Sequence, residues 1–206
     1  MDNSPKTLTS ILRKNLNGAA IPIAGLLNRI GMTPNMVTLL GLVGQMAAAY
    51  LLAVGQMTWG GILLVVVAPL DFLDGTLARL RGTPTKFGAF LDSVTDRYAE
   101  LAIFGGIFFY FVQRQDWLAC VLVYLAAAGS VLVPYIRARA EGIGYDAKIG
   151  ILSRVERYFV LVPLLIFNLP WWAMLILAVF TNITALQRIF HVRRQDLNDP
   201  NGILKS

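Results

Sequence analysis

The sequence predicts an all-α membrane protein, with six transmembrane helices preceded by an amphipathic interfacial helix. Three observations carry that expectation. The 206 residues are 56% hydrophobic and only 15% charged, with a mean hydropathy of +0.62, whereas a soluble domain carries about a quarter charged residues. The apolar runs recur at roughly the 20-residue length that crosses a bilayer. The basic residues also collect on one side of the serpentine that those runs define.

Taken in order, the chain opens on a polar, basic leader. Its first eighteen residues, MDNSPKTLTSILRKNLNG, have no apolar centre of the kind a cleavable signal peptide needs. Within residues 5–28, Leu8, Ile11, Leu12 and Leu16 share one helical face, with Arg13 and Lys14 elsewhere. This pattern suits a helix lying on the cytoplasmic leaflet. Pro22 and Gly25 are expected to break it before the first span, so that residues 1–33 form a juxtamembrane helix and linker. Spans follow near 36–57, 60–78, 89–112, 117–136, 156–170 and 171–190, the last two separated only by NLPWW. They make a transmembrane domain over 34–192, with a cytoplasmic tail over 193–206. The single Cys120 lies inside an apolar run and reads as a packed, inert thiol.

Six spans put both termini on one side, with the loops after the second and fourth helices. Of the 18 lysines and arginines, only Arg114 falls on the other side. The positive-inside rule places the basic face in the cytoplasm of a multi-pass cell-membrane protein. An isoelectric point of about 9.7 then speaks of anionic lipid rather than nucleic acid.

The stretch DFLDGTLARLRGTPTKFGAFLDSVTD, Asp71 to Asp96, sets four aspartates between apolar runs. Asp71 and Asp74 stand at i and i+3 near the cytoplasmic end of the second span. Gly82, Thr83 and Pro84 form a turn. Gly88, Asp92, Asp96 and Glu100 then follow at successive i+4 intervals, one stripe on the third span. A hairpin of these helices brings the two aspartate pairs face to face. So many carboxylates in a poorly solvated place need a counterion, and Arg79 and Arg97 cannot neutralise them all. Hard carboxylate oxygens select Mg²⁺, Mn²⁺ or Ca²⁺. No Cys/His cluster points to zinc, and the lone His191 is assigned no metal. Gly75 and Gly88 each lie one turn from an aspartate, where a missing side chain admits a ligand, although glycine also serves helix contacts. Arg79, a turn further on, can hold a phosphate. Together these groups describe a metal–diphosphate site at the membrane surface.

The pattern Asp71-x2-Asp74-Gly75-x2-Ala78-Arg79-x8-Gly88-x3-Asp92-x3-Asp96 resembles the signature of the CDP-alcohol phosphotransferase family. TPNMVT, Thr33 to Thr38, resembles that family's entry to its first helix. The resemblance implies a six-helix fold, usually homodimeric, that transfers a phosphatidyl-type group from a CDP-linked lipid to an alcohol and releases CMP. It also implies Asp71, Asp74 and Asp92 as metal ligands, with Asp96 beside a second metal and acting as general base. The metal would be Mg²⁺ or Mn²⁺, two ions in all. Gly75, Ala78, Arg79 and Gly88 would line the CDP pocket, with Asn35 and Thr38 as lesser contacts.

The acceptor is read from arginines. Arg137 and Arg139 end the fourth span, Arg154 and Arg157 open the fifth at i and i+3, and Arg188 lies near the end of the sixth. Topology needs only scattered charges there, whereas clustered arginines beside a carboxylate site suit an acceptor that carries a phosphate. YIRARAE, SRVER and LQR resemble the branch of the family that joins CDP-diacylglycerol to inositol 1-phosphate. Arg137 stands where that branch commonly has lysine, Pro134 where serine is frequent, and Ser153 where an acid is frequent. Glycerol 3-phosphate, giving phosphatidylglycerol phosphate, is the alternative acceptor. Outside this chemistry stand an aromatic prenyltransferase, whose two acidic motifs lie on separate helix pairs, and an acidic-site cation transporter, which has no use for a nucleotide pocket.

Overall fold

A computed structural model describes residues 21–82 and 84–198, and within them every regular element is a helix. Residues 21–29 are helical and are called α1. After it come α2 (Pro34–Ala53), α3 (Met57–Val67), α4 (Leu70–Leu80) and α5 (Lys86–Gln113). The remainder are α6 (Trp117–Gly142), α7 (Arg154–Ile166) and α8 (Pro170–Leu197).

Local chemistry explains the boundaries. Pro34 opens α2, where a backbone N–H would have no helical partner and proline's lack of one costs nothing. Thr33 ahead of it accepts a hydrogen bond from the Met36 N–H at 3.3 Å. Thr85 caps α5 in the same way, accepting from the Gly88 N–H at 2.9 Å. The single span expected over 60–78 is divided at Ala68 and Pro69 into α3 and α4. Pro69 has no N–H to continue the ladder, while its carbonyl accepts from the Phe72 and Leu73 N–H groups at 3.1 Å each. The NLPWW boundary is a tight turn, with Asn168 at φ 58° ahead of Pro170.

Four segments are long and apolar enough to cross a membrane: Pro34–Ala53, Met57–Leu80, Trp117–Gly142 and Pro170–Leu197. Of the other two expected spans, α5 has the length but carries Lys86, Asp92, Asp96, Arg97 and Glu100, and α7 has only 13 residues. Helices α6 and α8 run past the ends expected from hydropathy. Charged turns continue a helix beyond its apolar run, as the i,i+4 pair Arg137–Glu141 at 2.9 Å does in α6.

One boundary differs in kind. Residues 21–29 are helical through Gly25, one of the two positions expected to break the leader, while the chain ahead of Ile21 and Pro22 lies outside the described residues. Packing overrides propensity here: Ala24 is fully buried with Val37, Leu73 and Leu77, and Arg81 Nε donates to Asn28 Oδ1 at 2.6 Å. The face carrying Leu8, Ile11, Leu12 and Leu16 lies outside the described residues.

Helix α2 packs against α3, α4 and α5, α6 against α5 and α8, and α7 against α3 and α8. The main core joins Leu52, Met57, Leu64, Ile103, Ile107, Leu165, Met174 and Leu177, and Cys120 is buried in it. Close approach depends on particular glycines. A Cβ on Gly106 would run into the Ala49 backbone of α2, whereas one on Gly105 would meet nothing within 4 Å. Gly106→Ala should therefore destabilise the purified protein by about 1–3 kcal/mol, the usual cost of overpacking. Gly105→Ala should be neutral or gain up to about 1 kcal/mol of helix propensity. Thermal unfolding of the two variants in detergent checks the contrast.

Candidate active site

The aspartates come together where α4 and α5 meet the ends of α2 and α7. On α4, Asp71 is three-quarters or more buried, and Asp74 is only 6% exposed. On α5, Asp92 and Asp96 lie one turn apart, close enough that Asp92 repels both Asp74 and Asp96. Asp71 also acts on Asp74, Asp92 and Asp96. The face-to-face arrangement expected of the hairpin is present.

Asp71, Asp74 and Asp96 each have close polar partners, Asp71 and Asp96 sharing one arginine. Asp74 Oδ2 accepts from Thr38 Oγ1 at 2.6 Å, and its Oδ1 accepts from the Gly75 N–H. Thr38, expected beside the nucleotide, thus serves Asp74. Asp71 Oδ2 accepts from Arg154 Nη2 at 2.5 Å, and Asp96 Oδ2 pairs with Arg154 Nη1 at 2.6 Å. One guanidinium from the first turn of α7 thereby bridges α4 and α5. Asp71 Oδ1 faces Gln45 Nε2 at 3.5 Å, while Tyr158 Oη donates to Gln45 Oε1 at 2.8 Å. A Cβ at Gly41 would stand 3.2 Å from Asp71 Oδ1, so the glycine leaves that oxygen its space.

Below this cluster lies a second charged layer. Arg157 is 3% exposed and gives Glu100 Oε1 two hydrogen bonds, from Nε at 3.0 Å and Nη2 at 2.8 Å. Arg97 lies 3.6 Å from Asp96 and 3.2 Å from Glu100. Sequence reading placed Glu100 on the acidic stripe but assigned it no role, and it missed Gln45 and Tyr158. A lone amide within an apolar span is the signal that marks Gln45.

The expected nucleotide side is more open. A Cβ at Gly75 would have only Arg79 Nη1 near it, at 3.6 Å, and one at Gly88 would stand 3.5 Å from Asn35 Oδ1. Arg79 is exposed and donates from Nη2 to Thr76 Oγ1 at 3.0 Å. Ala78 is half-buried beside it. The arginines expected to hold an acceptor phosphate separate into three kinds. Arg154 is in the carboxylate cluster. Arg157 is committed to Glu100, and Arg188, 6% exposed, donates to the Ile149 and Val133 carbonyls at 2.8 and 2.6 Å. Arg137 and Arg139 are at the exposed end of α6, Arg137 against Glu141.

Four carboxylates from two facing helices are a donor set that fits a hard divalent cation, and the guanidinium already on two of them shows that the cluster draws positive charge. Among the described residues, no three acidic, histidine or cysteine side chains form a ready ligand cage. Arg154 holds Asp71 and Asp96, and Asp74 is turned to Thr38.

Comparison with known proteins gives the family. Residues 31–195 match the CDP-alcohol phosphatidyltransferase family, and the chain belongs to that family of enzymes. A phosphatidylinositol phosphate synthase of Mycobacteroides abscessus is 36% identical over 183 residues, covering 84% of this chain and 82% of its own. An archaetidylinositol phosphate synthase of Pyrococcus horikoshii is 35% identical over 167 residues, covering 81% and 86%. The Mycobacterium tuberculosis phosphatidylinositol phosphate synthase crystallised with CDP-diacylglycerol superposes with a TM-score of 0.82 at 30% identity, covering 91% of this chain and 98% of its own. The same enzyme has been crystallised with manganese and citrate. Membership of a transferase family decides against the transporter and prenyltransferase readings.

The two charged layers predict different mutational costs. Glu100→Gln leaves the buried Arg157 without its counter-charge and should cost about 3–5 kcal/mol. Glu141→Gln breaks a pair whose side chains are each 45% exposed and should cost no more than about 1 kcal/mol. Unfolding midpoints of the two purified variants test the assignment.

Proposed function

We propose that the enzyme transfers the phosphatidyl group of CDP-diacylglycerol to inositol 1-phosphate, giving phosphatidylinositol phosphate and CMP. The supporting observation is the joint one: relatives bearing that activity in their names align over four-fifths of the chain, and an arginine stands beside the carboxylate cluster. In this reading the enzyme is a multi-pass cell-membrane protein with a six-span domain over 34–192, crossing on α2, α3 with α4, α5, α6, α7 and α8. Its juxtamembrane helix and linker cover 1–33, its tail covers 193–206, and the site faces the cytoplasm. It works as a homodimer.

Asp71, Asp74, Asp92 and Asp96 would hold two Mg²⁺ or Mn²⁺ ions. Bound there, such ions neutralise the diphosphate and polarise the phosphorus. The chain's own residues do the rest. Thr38 and the Gly75 N–H orient Asp74, and Gln45 steadies the second oxygen of Asp71. Gly75, Ala78 and Gly88, with Asn35 and Thr38 at their edge, leave room for the CDP moiety, and Arg79 reaches its phosphates from the open side. Asp96 accepts the proton of the attacking hydroxyl. Arg154, with Arg137 and Arg139 at the rim, contacts the acceptor phosphate. Arg157 and Arg188 fix the walls that present it, Arg157 through Glu100 and Arg188 through the Ile149 carbonyl of the segment before α7.

Two outcomes test this. With CDP-diacylglycerol and Mg²⁺, CMP release should require a phosphorylated acceptor, being rapid with inositol 1-phosphate and weak with glycerol 3-phosphate or free inositol. Equal rates with inositol and inositol 1-phosphate refute a phosphate-reading site. Asp74→Asn and Asp92→Asn should abolish transfer. Asp96→Asn should lower kcat by about 10²–10⁴-fold, the usual weight of a general base, while CDP-diacylglycerol still binds.

A further inference from the structure

Arg154 has two claims on it. The reading above sends it to the acceptor phosphate, yet its guanidinium spans Asp71 Oδ2 and Asp96 Oδ2, the oxygens that reading gives to metal. We infer that Arg154 is the cluster's exchangeable cation. It neutralises Asp71 and Asp96 until a divalent ion takes those oxygens, and the displaced guanidinium then becomes the acceptor-phosphate contact. This inference rests on the proposed metal and acceptor sites and adds a coupling between them.

Four observations carry it. The first is occupancy: the two nitrogens of one guanidinium sit on carboxylates from two different helices, at 2.5 and 2.6 Å, so a metal ion and Arg154 compete for the same lone pairs. The second is charge. With every group ionised, Asp71, Asp74, Asp92, Asp96 and Glu100 face Arg97, Arg154 and Arg157, leaving two negative charges while Arg154 is in place and three once it withdraws. The cluster thus attracts the ion that displaces the arginine. The third is exposure where it is needed. Arg157, one turn along α7, is pinned to Glu100 and 4% exposed in its side chain, whereas the Arg154 side chain is 35% exposed. The helix is anchored while the long side chain ahead of the anchor has solvent beside it. The fourth is position. Arg154 begins α7, where the helix dipole disfavours a cation, so its guanidinium needs an anion in either place: a carboxylate in one, a phosphate in the other.

Linkage makes the exchange measurable, because two ligands that favour the same rearrangement tighten one another reciprocally. Metal binding is read directly from the electron paramagnetic resonance signal of free Mn²⁺, titrated into the full-length protein in nanodiscs without nucleotide. Inositol 1-phosphate is absent in one arm and present in the other. Wild type should bind Mn²⁺ more tightly with inositol 1-phosphate present. Arg154→Gln should bind Mn²⁺ about tenfold or more tightly than wild type in the arm without it, since a charged hydrogen-bond competitor is gone, and should lose most of the tightening by inositol 1-phosphate. Arg97→Gln, which removes a nearby charge without vacating Asp71, separates exchange from a general field effect and should retain the tightening. The inference is overturned if Arg154→Gln binds Mn²⁺ no more tightly than wild type, if Arg97→Gln reproduces its behaviour, or if inositol 1-phosphate acts equally on wild type and Arg154→Gln. Asp92→Asn supplies the separate control: Mn²⁺ binding that ignores this substitution strikes the metal site itself rather than the exchange.

Discussion

Carboxylates within an apolar helix bundle have to be neutralised where they stand, and the polar architecture of this protein follows from that requirement. Water cannot do it cheaply at such depth. Arg154 takes Asp71 and Asp96, Thr38 and a backbone N–H take Asp74, and Arg157 takes Glu100. These contacts tie α2, α4, α5 and α7 into one unit, although the carboxylates come from only two helices. The ion pairs are held in shape by apolar packing on α5: Ile103 and Ile107, one and two turns past Glu100, belong to the main core.

The break at Pro69 matters in the same terms. An unbroken helix over 57–80 would carry Asp71 and Asp74 in line with the apolar span. Dividing it makes α4 a separate, strongly two-faced helix, with Leu73 and Leu77 buried beside Val37 of α2, Asp71 toward α7 and Asp74 toward Thr38 of α2. Helix α1 closes the opposite side of this small core through Ala24 and the Asn28–Arg81 bond. The segment before the first span is therefore part of the wall that supports α4.

Family relatives share this framework at 30–36% identity. In the proposed reading, choice of acceptor falls to α6, α7, α8 and the loop between α6 and α7. There Arg188 ties α8 to Ile149 and Val133, so this part of the bundle is backbone held in place by arginine. A charged residue near a membrane surface can orient the chain, brace a loop or touch a substrate, and the three uses look alike in sequence.

Periodicity and composition by themselves determined the helical class, the presence of α2 and α5 though not their ends, the break near Pro170, and the hairpin that gathers Asp71, Asp74, Asp92 and Asp96. All of these follow from spacing along one helix or from a short connection between two, which are local properties. The kink at Pro69 was equally local and was hidden only by averaging hydropathy across it. Tertiary structure alone decided the rest. Residues 21–29 remain helical because Ala24 finds a buried site on α2 and α4, a gain invisible to propensity. Arg154, Arg157 and Arg188 look equivalent in sequence, yet they end on aspartates, on a glutamate and on carbonyls respectively. Their partners are brought to them by segments 39 to 83 residues away in the chain. Gln45 and Tyr158 belong to the site for the same reason, since a hydrogen bond across 113 residues leaves no trace in the spacing of either helix.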